Sequence, residues 1–135
     1  MKRRIPDYFI ALVKQHANIL NDEQTARAIE ATSRVLEGAL QPGQANAFFA
    51  LVPGYLRPAG ATFLSRIGDW QPRKKTQDIP QLLASNLALT GAEEAETVLR
   101  AYFKAICTVI DSDSVLRLAR TLPVDVARIY SRVVR

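Results

Sequence analysis

Arg128, Arg132 and Arg135 stand at i, i+4 and i+7, so a helix through them gathers the three guanidinium groups on one face. Val126, Ile129, Tyr130 and Val133 take the other face. Guanidinium forks at this spacing can grip phosphate or carboxylate oxygens in pairs. The same stripe also serves as a solvated surface whose cations favour a helix C-terminus. A second group combines Trp70 with Arg73, Lys74 and Lys75. A ring beside cations is the arrangement with which single-strand binders stack bases and track phosphates. It equally describes a tryptophan covering the core next to a solvated basic linker. These seven residues are the candidate binding positions, and their common ligand chemistry is acidic. Lys2, Arg3 and Arg4 add a basic arm at the N-terminus, the kind of terminus that frays.

Other reactive side chains are few. The chain has one histidine, His16, and one cysteine, Cys107. Structural zinc takes four Cys or His ligands and catalytic zinc usually three protein ligands, so nitrogen and sulfur ligands are too few; a carboxylate site is left open but has no supporting motif, and no metal site is expected. His16 lies beside apolar positions and reads as a half-buried structural histidine. Cys107 sits inside a long helix without a second thiol or another histidine to activate it. Glu93, Glu94 and Glu96 cluster at the start of a helix, where acids favour the dipole. An acid–base pair needs carboxyls opposed across a cleft. No phosphate-binding glycine loop, nucleophile elbow or His-Glu-x-x-His occurs. No cofactor is expected, and the chain is expected not to be an enzyme.

The 135 residues are 48% hydrophobic and 23% charged, which fits a single globular domain. Net charge is +5. Residues 98–135 hold seven basic and three acidic side chains, so +4 of that excess lies in the C-terminal stretch. Such asymmetry points to an acidic partner: nucleic acid, an anionic membrane surface or a protein. Lys2 to Arg4 resemble the start of a signal peptide, yet the apolar run that follows is only Phe9 to Val13. No stretch approaches the ~20 apolar residues of a membrane span. A soluble, cytoplasmic protein is expected.

Helical periodicity dominates. Asn21 and Gln24 form a capping-box pattern ahead of a face of Ala28, Ile29, Val35, Leu36, Ala39 and Leu40. Pro42 opens the next helix, which runs from Gln44 to Val52, and Pro53 ends it or begins another. Thr90 and Glu93 form a second capping box. Behind it Val98, Leu99, Tyr102, Ala105, Ile106, Val109 and Ile110 make one face. Ser112 or Ser114 is expected to cap the helix bearing Val115, Leu118, Ala119 and Leu122, and Pro123 opens the last helix. Between Arg57 and Asp78 the chain is loop-like in part, with a short helix possible over Ala61 to Ile67. No segment alternates with the period of two expected of a strand.

The two halves align without a gap at an offset of 70 residues. Pro53 falls on Pro123, Glu23 on Glu93, Leu12 on Leu82 and Ala31 on Ala101. Over 9–58 and 79–128 the apolar positions coincide 17 times, against roughly 13–14 for unrelated segments of this composition. The expected architecture is therefore all-α. It is one domain, residues 1–135, of about seven to nine helices in two related halves. A connecting segment of about 59–78 joins them, and the long helices at about 20–40 and 91–111 pack together near a pseudo-twofold axis.

The stretches Glu23 to Leu56, ending Leu51-Val52-Pro53, and Glu93 to Val126, ending Thr121-Leu122-Pro123, carry a resemblance. The chain resembles a duplicated-repeat family of small all-helical bacterial proteins of unknown function, in which each repeat ends in a Leu-Pro element. It departs from that pattern where Val52 precedes the first proline. The resemblance implies a helical fold and an adaptor role, and carries no catalytic residues. The leading expectation is a non-catalytic helical interaction or adaptor protein, with a protein partner and homo-oligomers possible. The alternative is nucleic-acid binding through the C-terminal basic face, and peripheral contact with an anionic membrane is a third.

Overall fold

The computed structural model describes residues 5–17, 21–40, 42–57, 79–87 and 91–134. Among them are seven α-helices and no strand. These are α1 (Asp7–His16), α2 (Asp22–Ala39), α3 (Pro42–Leu51), α4 (Ile79–Leu87), α5 (Ala92–Val109), α6 (Ser112–Ala119) and α7 (Val124–Val134). A 3-10 turn over Gly54–Leu56 follows α3. The possible helix over Ala61 to Ile67 lies outside the described residues.

The helix starts follow from capping chemistry. At α2 the capping box forms as expected: the Asn21 side chain accepts from the Gln24 amide at 2.8 Å, and Gln24 Oε1 accepts from the Asn21 amide at 3.1 Å. Two other starts differ from the sequence expectation. The cap of α6 is Asp111, not Ser112 or Ser114, and its carboxylate accepts from the Ser114 amide at 2.7 Å. An ionised acceptor satisfies a first-turn amide more strongly than a hydroxyl does. That backbone bond, then the Ser114 side chain, holds the Asp111 carboxyl below the ordinary carboxylate range. At α5 the cap is Gly91, which offers no side chain, in place of the expected Thr90. Glu93 and Glu94 in its first turn still meet the positive end of the dipole.

Helix α5 is the hub. It packs against α1, α4 and α7 and also meets α2. Ala95, Val98, Leu99, Ala101, Tyr102, Phe103, Ala105 and Ile106 are all buried, leaving a narrow polar strip through Arg100, Lys104 and Thr108. A helix apolar over most of its circumference belongs inside. Helix α2 answers with small and hydroxylated side chains. Thr25, Ala28, Thr32 and Ser33 are buried beside Ile29 and Leu36. Two of the hydroxyls return to their own backbone, Thr25 to the Asn21 carbonyl at 2.7 Å and Thr32 to that of Ala28 at 2.6 Å. Ser33 instead reaches across to α5, where its Oγ lies 2.8 Å from the buried Tyr102 hydroxyl.

The C-terminal helices fasten to the same hub. Phe103 meets Tyr102 on one side and Tyr130 of α7 on the other, both edge-to-face, with centroids 5.8 and 5.2 Å apart. The Tyr130 hydroxyl donates to the Val115 carbonyl of α6 at 2.6 Å and accepts from Cys107 Sγ at 3.5 Å. Leu118 and Leu122 complete the seal beneath α6.

The Ser33–Tyr102 bond generates a stability test. Tyr102→Phe removes one buried hydroxyl and leaves its partner unmatched, so chemical denaturation is expected to show a loss of about 1–3 kcal/mol. Ser33→Ala added to it is expected to recover part of that loss, because neither hydroxyl is then buried alone.

Candidate binding surface

Of the seven candidate residues, the described structure places two. Arg128 and Arg132 are both exposed on α7, while Val126, Ile129 and Tyr130 of that helix are buried. Trp70, Arg73, Lys74, Lys75 and Arg135 lie outside the described residues, as do Lys2, Arg3 and Arg4.

The two arginines are not equivalent. Arg132 Nη1 lies 3.5 Å from Glu96 Oε1 of α5. Glu96 therefore faces α7 across the helix pair, and one of the three cations of the stripe is spent on an internal contact. Arg128 has no ion-pair partner among the described residues. Arg120, at the C-terminal cap of α6, is likewise exposed and without one. Arg117 lies 3.6 Å from Asp113 one turn earlier, both largely in water. Such an exposed pair adds little to stability.

Two apolar residues of these helices are also exposed. Leu116 of α6 is 68% exposed and Val124 at the start of α7 is 78% exposed, so each leaves most of its side chain in water. The apolar face read from the sequence for α6 skips Leu116, and that for α7 skips Val124. Helical geometry alone thus put both off the packing face, and this was the available signal. The Tyr130–Val115 bond and the buried Leu118 hold the two helices in a fixed mutual position.

Two of the remaining reactive groups, Cys107 and Tyr130, bond each other. Cys107 is half-buried, and its thiol is pushed up by burial, with the Tyr130 contact acting in the opposite direction. The Tyr130 phenol is raised well above its ordinary value, chiefly by burial. His16 closes α1, where burial, then the charge of Lys104, pushes its imidazole below the usual histidine range. Lys14 reaches Asp22 at 3.0 Å and ties α1 to the start of α2. Tyr8 and Tyr55 join hydroxyls at 3.0 Å between α1 and the 3-10 turn. One Glu37 carboxylate oxygen on α2 is buried without a hydrogen-bond partner. No group of three His, Cys, Asp or Glu that could hold a metal occurs among the described residues, and no described helix is long and apolar enough to cross a membrane.

Comparison of the chain with protein families, curated proteins and solved structures returns no match.

Two outcomes follow for Cys107 and His16. A raised thiol is a poor nucleophile at neutral pH. Alkylation of native Cys107 by iodoacetamide is expected to lag well behind that of the unfolded chain, and to accelerate as pH rises past the ordinary thiol value. For His16 the folded form disfavours the proton. Its contribution is intact above the unfolded value of about 6.5, declines as pH falls below it, and levels off under the depressed folded value. Denaturation at pH 7.5 and 5.5 is expected to show this acid-side loss, and His16→Gln is expected to reduce it.

Proposed function

We propose that this chain is a non-catalytic helical interaction protein built from two related halves. The observation that carries the functional reading is the exposure of Leu116 and Val124 on two helices that the Tyr130–Val115 bond holds together. Apolar side chains kept in water on a fixed scaffold can anchor a partner. The engagement of Cys107, Glu96 and Asp111 in structural contacts supports the non-catalytic part.

The duplicated architecture draws support from the helix boundaries. Helices α2 and α5 start at Asp22 and Ala92 and end at Ala39 and Val109, 70 residues apart at both ends. Helices α3 and α6 start at Pro42 and Ser112, again 70 apart, and the 3-10 turn and α7 start at Gly54 and Val124. Buried positions recur at that offset: Phe9 and Ile79, Val13 and Leu83, Ile29 and Leu99, Leu36 and Ile106, Phe48 and Leu118, Leu56 and Val126. The packing is reciprocal too, α1 against α5 and α4 against α2. Membership of the duplicated-repeat helical family fits this arrangement.

A second reading, nucleic-acid binding by the C-terminal basic face, draws on Arg120 and Arg128, which have no ion-pair partner among the described residues. Against it, residues 111–134 carry three aspartates beside four arginines, and Arg132 is already paired. Phosphodiester binding depends on a continuous positive field.

Titration against a labelled duplex and a labelled single strand separates the two. The interaction reading expects no binding at physiological salt, with a specific partner retained when the immobilised chain is exposed to cell extract. Micromolar binding that survives physiological salt and weakens on Arg128→Ala and Arg132→Ala would instead establish the nucleic-acid reading.

A further inference from the structure

We propose that Tyr8 and Tyr55 form an oxidative cross-linking site. A one-electron oxidant, hydrogen peroxide acting through a haem peroxidase, joins their rings by a carbon–carbon bond. A hydrogen-bonded pair thereby becomes a covalent tie between α1 and the 3-10 turn. The proposal goes beyond the interaction reading and does not depend on it.

The four tyrosines of the chain are of two kinds. Tyr102 and Tyr130 are buried, and Phe103 stands between their rings. Their hydroxyls are taken by Ser33 and by the Val115 carbonyl. Tyr8 and Tyr55 instead bring their hydroxyls to each other, 3.0 Å apart at an exposed position. Their rings stand edge-to-face, with centroids 6.2 Å apart and planes at 89°. The two residues are 47 positions apart in sequence, so it is the fold that pairs them.

One member of the pair is held and the other is open. The half-buried Tyr55 ring meets Phe9 edge-to-face at 5.6 Å. The turn that carries it is closed by the Leu56 amide on the Pro53 carbonyl at 3.0 Å and the Arg57 amide on that of Gly54 at 3.2 Å. Tyr8 leaves 55% of its surface in water, so an oxidant can reach it and its ring has room to turn. In a phenoxyl radical the unpaired electron is shared by the oxygen and the ring carbons ortho and para to it. The para carbon bears the side chain, which leaves the ortho carbons to couple. Each ortho carbon is two bonds from a hydroxyl oxygen, so the contact gathers the coupling positions at the ends of the rings that meet. An ortho-linked biphenol keeps its hydroxyls side by side, and the observed contact survives in the product. Radicals held together couple with each other in preference to a radical on another chain.

The electron count closes. Each phenol gives one electron to the oxidant and its hydroxyl proton to water. The two radicals pair their unpaired electrons in one bond between ortho carbons. The ring hydrogens at those carbons then leave as protons while both oxygens regain protons, which restores the rings and the hydroxyls. The net loss of two electrons and two protons reduces one hydrogen peroxide to two waters.

The test treats the full chain with hydrogen peroxide and a catalytic amount of haem peroxidase. Dityrosine fluorescence is expected on a species that migrates as the monomer, with a yield that does not change on dilution. Tryptic digestion is expected to release Ile5–Lys14 joined to the peptide that bears Tyr55, at a mass two hydrogens below their sum. Tyr8→Phe and, separately, Tyr55→Phe are expected to abolish this species while circular dichroism keeps the helical signal of the parent. The cross-linked chain is expected to unfold at a higher denaturant concentration, because a closed loop restricts the unfolded chain. Fluorescence that is absent, confined to dimers and larger species, or retained by Tyr8→Phe would overturn the proposal. So would a linked peptide that contains Tyr102 or Tyr130 in place of Tyr8 or Tyr55.

Discussion

Two buried tyrosines govern how these helices assemble. A phenol ring brings a large apolar surface into a core but carries a hydroxyl that must find a partner there. Tyr102 finds Ser33 on α2, and Tyr130 finds the Val115 carbonyl on α6. Phe103 stands between the two rings on α5. The result is a continuous line from α2 through α5 and α7 to α6, polar at both ends and aromatic in the middle. Apolar packing alone would tolerate many small rotations of these helices against one another. Directed bonds at each end of the line restrict them to one arrangement.

The composition of α2 follows from that requirement. The aromatic residues of α5 need room, and α2 supplies it with alanine, serine and threonine. Buried hydroxyls in such a helix are a liability unless bonded, and α2 resolves this locally for Thr25 and Thr32 by returning them to backbone carbonyls. Only Ser33 is left to act between helices. The charged side chains meanwhile lie at helix ends and along narrow strips, where Lys14 with Asp22 and Arg132 with Glu96 join neighbouring elements at their margins.

What was legible in the sequence was mostly local. The Asn21–Gln24 box, the apolar faces of α2 and α5 and the two-sided character of α7 depend on spacing within one helix, and spacing is explicit in a sequence. Cap choice at α6 was less so, because Asp111, Ser112 and Ser114 are all competent acceptors. The outcome turns on which residue adopts the extended backbone before the first turn. The contacts that define the surface were not legible at all. Ser33 and Tyr102 are 69 residues apart, and Glu96 gives no local hint that it faces Arg132 rather than serving only the helix dipole. Leu116 and Val124 could be placed off the packing faces by counting. That α6 and α7 lie side by side depends on how α7 folds back to bring the Tyr130 hydroxyl to the Val115 carbonyl.

The short length of α6 gains meaning from the Tyr130 bond. Eight residues are too few for a helix to persist in water by itself. With its Val115 carbonyl held by α7 and Leu118 sunk in the core, α6 cannot fray without disturbing α7 and the hub behind it. Its opening is therefore tied to that of a much larger cooperative unit, and its amides should exchange with solvent as slowly as those of its neighbour. A molecule arriving at these two helices meets a shape already fixed. Little conformational freedom is lost on contact, so even a small footprint can be read with discrimination.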